Sequence, residues 1–136
     1  MRIISNKILP VKGFSAINLL GFVFTRLPAD ALPITTKRHE AIHTAQQYEI
    51  LALSALISLV LCNIFASWWY LLACVIMPLA IYLLAWIVEL LLPPYDSAYK
   101  DSLFEREAYA NSGDPDYLVN RSPFAWISYF LKFKER

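Results

Sequence analysis

Arg38-His39-Glu40-Ala41-Ile42-His43-Thr44-Ala45-Gln46-Gln47 runs within a few residues into a stretch, 50–88, that holds no charged side chain. On an α-helix, residues four apart sit almost above one another, so the imidazoles of His39 and His43 can converge on one ion. Glu40 lies on the next ridge, poorly directed to ligate that ion but close enough to take a proton from water beside it, which suits a general base. A catalytic zinc takes three protein ligands and leaves its fourth position to water, so a third ligand is expected from elsewhere in the chain. Three fixed positions also coincide by chance on surface helices. Against chance, the chain has two histidines and both are in this motif.

The uncharged run is long enough for two helical crossings of a hydrocarbon core about 30 Å thick. A transmembrane hairpin is expected over 35–92, turning around 63–67, with Trp68, Trp69 and Tyr70 at the far interface, where amphipathic rings collect. Pro78 is placed to kink the second span, and Pro93-Pro94 to end it. Residues 50–64 make only about 22 Å of helix, which draws His43 to the headgroup boundary. His39, His43, Gln46, Ile50, Ser54 and Ile57 share one stripe, and Ser54 and Ser58 would let a second helix approach closely. Glu89 returns to the near side at the depth of this stripe, either as a functional carboxylate or as an interfacial one reaching for water. All twelve Lys and Arg lie outside the uncharged run, 50–88, so the positive-inside rule places both termini and the motif on the cytoplasmic side, in a bacterial cytoplasmic membrane by expectation.

At 136 residues, 58% apolar and 15% aromatic, the chain reads as a single membrane-embedded domain, 1–136, mainly α-helical. A net charge of +1 with scattered cations excludes a phosphate-tracking patch, so no nucleic-acid partner is expected. Cys62 and Cys74 fall in the apolar stretch and read as packing residues. No removable signal peptide is expected, which leaves targeting to the internal helices. A short β-hairpin is expected over 1–27, with 16–25 as one strand paired with 2–9, serving as a cover over the helices or as an edge that holds substrate backbone. Pro28 and Pro33 frame a loop, and Thr35 or Thr36 is the expected N-cap of the motif helix. A helix follows over 101–111, capped by Asp101 or Ser102, then a turn over 111–116. In the interfacial tail, 116–136, the stretch 123–136 is heavily aromatic, ends in Lys132, Lys134 and Arg136, and suits a helix lying on an anionic leaflet.

Residues 104–108 supply two candidate third ligands, Glu105 and Glu107, which project about 200° apart on a helix, so only one can face the metal. Arg38–Gln47 read as R-H-E-x-I-H-x-x-Q-Q, and Phe104–Asn111 read as F-E-x-E-A-Y-x-N. In these two blocks the chain resembles small membrane relatives of the gluzincins, thermolysin-like metallopeptidases in which a glutamate on a later helix joins H-E-x-x-H. The resemblance implies Zn²⁺ held by His39, His43 and Glu105. The gluzincin aspartate position then falls on Tyr109, and a shifted register would make Glu107 the ligand with Asn111 in that place. The E-x-E-A core favours Glu105 and leaves Glu107 to pair with Arg38 or another group behind the ligands.

What the resemblance further implies is hydrolysis of peptide bonds in membrane-proximal polypeptides. Glu40 would act as base, and Tyr109, Tyr99 or Tyr95 would steady the oxyanion. Expected partners are the lipid bilayer, a peptide or membrane-protein substrate and, because so short a chain encloses little, a second copy in a homo-oligomer. Two rivals remain: a non-catalytic, zinc-stabilised membrane interaction protein, and a plain anchor in which the motif is coincidental. Neither has a use for Glu40.

Overall fold

Three short strands precede the helices: β1, Arg2–Ser5; β2, Ala16–Leu19; and β3, Phe22–Thr25. The computed structural model describes residues 1–10, 15–91 and 103–131. β3 is the middle strand, antiparallel to β2 and parallel to β1 with Arg2 opposite Phe22 and Ser5 opposite Thr25. The expected single strand over 16–25 is therefore corrected to two strands folded on each other. Leu20 and Gly21 form the turn between them, both at positive φ (49° and 83°), the backbone a tight two-residue hairpin requires. The expected pairing of 2–9 is shorter and parallel. Asn6 ends β1, because its Oδ1 accepts from the backbone amides of Ile8 (2.9 Å) and Leu9 (2.7 Å) and folds the chain away from the ladder. Along β3 the side chains alternate, so Val23 and Thr25 are fully buried.

The chain folds into two units, Met1–Gln46 with Leu103–Arg136, and Gln47–Ser102. Helix α1, Ile34–Phe65, starts in the first and runs on into the second. It starts directly after Pro33, whose carbonyl accepts from the Lys37 amide at 3.0 Å, so Thr35 and Thr36 lie inside the first turn and do not cap it.

Within the first unit, α1 buries Glu40, Ile42, His43, Thr44 and Gln46. Asn18 of β2 fastens the sheet to this stretch, its Nδ2 donating to the Glu40 carbonyl and, at 2.8 Å, to Thr44 Oγ1. Helix α3, Leu103–Asn111, buries Phe104, Glu105, Glu107 and Ala108. In the tail, α5, Trp126–Leu131, lies within the stretch 123–136 expected as a helix, and a further short helix, α4, Tyr117–Asn120, precedes it across a bend containing Pro123 and Phe124 at φ 57°. Proline cannot continue the helical ladder there. Trp126 packs its ring 5.2 Å from that of Phe104, tying α5 to α3.

The second unit holds the remainder of α1, a break at Ala66 (φ 47°) and Ser67, a 3₁₀ turn at Trp68–Tyr70, and α2, Leu71–Leu91, which carries Pro78 inside it. The break falls where the turn was expected. α1 is long and apolar enough to cross a membrane. Much of this unit's surface is apolar: Leu56, Ile64, Trp68, Trp69, Val75 and Leu79 are exposed. The Glu89 side chain, Tyr95, Tyr99, the caps Asp101 and Ser102, the Pro93-Pro94 stop and 132–136 lie outside the described residues.

Candidate metal centre

α1 presents His39 and His43 one turn apart, and α3 brings Glu105 against both. Their Nε2 atoms are 3.1 Å from each other, His39 Nε2 is 3.0 Å from Glu105 Oε2, and His43 Nε2 is 3.3 Å from Glu105 Oε1. These three residues form a group able to hold a metal ion. Ligands about 2.0–2.1 Å from a tetrahedral zinc lie about 3.3–3.4 Å from one another. The observed separations are within a few tenths of an ångström of that spacing, though they run to different oxygens of Glu105, so the donor set suits the ion with a small turn of one carboxylate.

The protons on His43 are set from behind. Gln46 Nε2 donates to the Phe104 carbonyl (3.0 Å) and to Glu107 Oε2 (2.9 Å), which turns Gln46 Oε1 toward His43 Nδ1 at 2.8 Å. A carbonyl oxygen accepts only, so Nδ1 carries the proton and the neutral ring keeps its lone pair on Nε2, facing His39 and Glu105. Glu107 is itself held by Tyr117, whose hydroxyl donates to Oε1 at 2.9 Å, and by Arg121 through Nε to Oε1 and Nη2 to Oε2 at 3.3 Å. Both members of this ion pair are buried, Glu107 completely.

The two glutamates thus divide the work. Glu105 meets the histidines, and Glu107 stands behind them with Arg121 as its cation. Arg38, expected as a partner for the second glutamate, instead donates to the Gly113 carbonyl at 3.1 Å and fastens the start of α1 to the turn after α3. Asn111 caps that end of α3, its Nδ2 donating to the Glu107 carbonyl and to Tyr129 Oη, both at 2.7 Å. Tyr109 lies at the mouth of the site, half exposed, its ring edge-on to His39 with centroids 4.7 Å apart. Gln46 shares the stripe of the two histidines, which was the one signal of its place. Tyr117, Arg121 and Asn18 gave none, because their partners lie on other segments.

Charge in the site follows from this packing. Burial alone would raise the Glu105 carboxyl, but hydrogen bonds from His39 and His43 outweigh it and hold the group at about 2. The ligating part of α1 precedes the uncharged run, and there burial pushes Glu40 above its ordinary value, with the Glu105 charge adding and the two imidazoles opposing. His43 is drawn down by burial but raised overall by its hydrogen bond to Glu105, with that carboxylate's charge, Gln46 and Glu40 adding. Burial, then the charges of Glu105 and Glu40, raise the Tyr109 phenol. No protein family, characterised protein or solved structure matches this chain.

Three expectations follow. Gln46→Met, close in volume but without the amide, removes the acceptor that fixes His43. Metal affinity is expected to fall about 10- to 100-fold, the usual cost of losing a partner behind a ligand, as read by chelator competition. Protons compete with a metal for the histidine lone pairs, and because His43 lies above its ordinary 6.5, competition begins above that pH. Metal retained by a loaded sample after dialysis is expected to fall as pH drops through the range in which His43 takes up its proton, a loss that begins above 6.5. In metal-free protein the depressed Glu105 contributes stability above its ordinary 4.5, lost as pH falls through about 2.

Proposed function

We propose that this chain is a zinc-dependent integral-membrane metallopeptidase of gluzincin type, hydrolysing peptide bonds in membrane-proximal polypeptides. The observation that carries this reading is the convergence of His39, His43 and Glu105 on one point, with Glu40 buried beside them on α1. The peptidase class rests on the likeness of the two sequence blocks to those of small membrane gluzincins. Zinc in this position supplies a Lewis acid that acidifies water and polarises a carbonyl.

The chain's own groups fit the remaining roles. Glu40, raised by burial, is suited to accept a proton from water and pass it to the leaving amine. Tyr109, raised and so still a hydroxyl donor at neutral pH, would support the charge that develops on the substrate oxygen. Gln46 and Glu107 keep the His43 lone pair on the metal side. In this proposal residues 50–88 cross the bilayer twice, as a helical hairpin of α1 and α2, and the site faces the cytoplasm at the headgroup boundary.

The test is metal content and hydrolysis together, in protein purified in detergent and returned to lipid. Wild type is expected to carry about one zinc per chain, the usual stoichiometry of a site with three protein ligands. That zinc is lost in His43→Ala and in Glu105→Gln, and kept in Glu107→Gln at lower affinity. Stripping the metal should stop hydrolysis of a peptide library, and zinc should restore it. Wild type that binds no zinc after reloading would overturn the reading. Zinc binding without hydrolysis would leave a zinc-stabilised interaction protein.

A further inference from the structure

The β2–β3 hairpin ends in a tip that is unsuited to water. Leu19 and Phe22 are directly paired across the strands, so their side chains share a face, and they are 54% and 47% exposed. Leu20, in the turn, is 36% exposed at φ 49°. A two-residue turn with positive φ at both positions takes Asn-Gly or Asp-Gly when it faces solvent, because a short polar side chain tolerates that backbone and bonds to water. Leucine does neither. No charge occurs over 15–25.

Two further observations say what covers the tip. The hydrogen bonds of Asn18 to Glu40 and Thr44 fasten this hairpin to α1 within about three turns of the start of the uncharged run at Ile50. The Arg2 backbone amide donates to the Gly21 carbonyl at 2.7 Å, and Arg2 is the register partner of Phe22, so an exposed cation stands beside the apolar residues. Apolar side chains flanked by a cation match the boundary between acyl chains and anionic headgroups.

We infer that the tip Leu19-Leu20-Gly21-Phe22 inserts into the lipid headgroup boundary as a second membrane contact, separate from the helices and fastened to the helix that carries Glu40. The inference rests on the membrane reading proposed above. A contact of this kind would hold the candidate site against the bilayer surface independently of the span.

The test places an environment-sensitive fluorophore on single cysteines, after Cys62→Ala and Cys74→Ala, in full-length protein held one copy per nanodisc of phosphatidylcholine and phosphatidylglycerol. The labelled variants are Leu20→Cys, Leu56→Cys on the exposed apolar face of α1, and Asp30→Cys on the exposed loop before it. At Leu20 and Leu56 emission is expected to shift to the blue and be quenched by spin-labelled lipid, with neither effect at Asp30. Leu19→Cys repeats the measurement should the turn not tolerate the label. Quenching at Leu56 without quenching at either hairpin position overturns the inference and leaves the membrane reading intact. A blue shift at the hairpin that spin-labelled lipid does not quench means protein covers the tip, which also overturns it. Absence of quenching at Leu56 removes the membrane reading and the inference together.

Discussion

Glu40→Gln is expected to lose hydrolysis by about 10²- to 10⁴-fold while zinc remains bound at about one per chain. Glutamine keeps the shape and much of the polarity of the side chain but cannot take a proton from water. The ligands His39, His43 and Glu105 are untouched, because they are fastened by Gln46 and by α3 and not by the Glu40 carboxylate. The carbonyl of Glu40, which binds Asn18, belongs to the backbone and survives the exchange. The measurement is hydrolysis per bound zinc in lipid, with metal content determined on the same sample. Equal rates for Glu40→Gln and wild type would remove the proposed base and return the site to a structural role.

Arg121→Met is expected to be the most destabilising single change in the first unit, by about 3–5 kcal/mol. It leaves the fully buried Glu107 with Gln46 and Tyr117 as donors but with its cation gone. The figure is the cost of an uncompensated buried charge and not the strength of the pair. The double change Glu107→Met with Arg121→Met removes both charges and is expected to recover much of the lost stability, since apolar replacement of a buried pair is often neutral. It does not recover metal affinity, because Gln46 is then no longer held by a carboxylate and His43 loses its fixed orientation. Thermal unfolding and chelator competition on the two variants separate the roles. Parallel losses in both readouts for both variants would mean that Glu107 serves the fold alone.

The parts of this arrangement differ in how plainly the sequence announces them. His39, Glu40 and His43 are legible because one helical turn fixes their relation, and no other part of the chain is needed to state it. The choice between Glu105 and Glu107 is half legible. Helical geometry says the two diverge, but which one meets the histidines depends on how α3 sits in its unit, a property of distant residues. Arg121 was hidden more completely, on the segment between the turn after α3 and the aromatic helix, where no local spacing points to its partner Glu107. In the sheet, the turn at Leu20 and Gly21 lies inside a run of apolar and β-branched residues without the polar punctuation that marks hairpins, so 16–25 read as one strand. The apolar stretch announced itself by length and lack of charge alone.

The first unit is assembled from two pieces of chain with the whole second unit inserted between them. During synthesis the histidine pair leaves the ribosome early and Glu105 late, and Gln46 must wait for Glu107, 61 residues further on. Nascent chain therefore carries two of the three candidate metal ligands and not yet the third. Under the proposed function, tight metal binding and the chemistry that depends on it would begin only when the intervening segment has been made and the two flanks have met. On that reading the interruption would act as a timer built into the order of the chain, completing the site only after the second unit has been made.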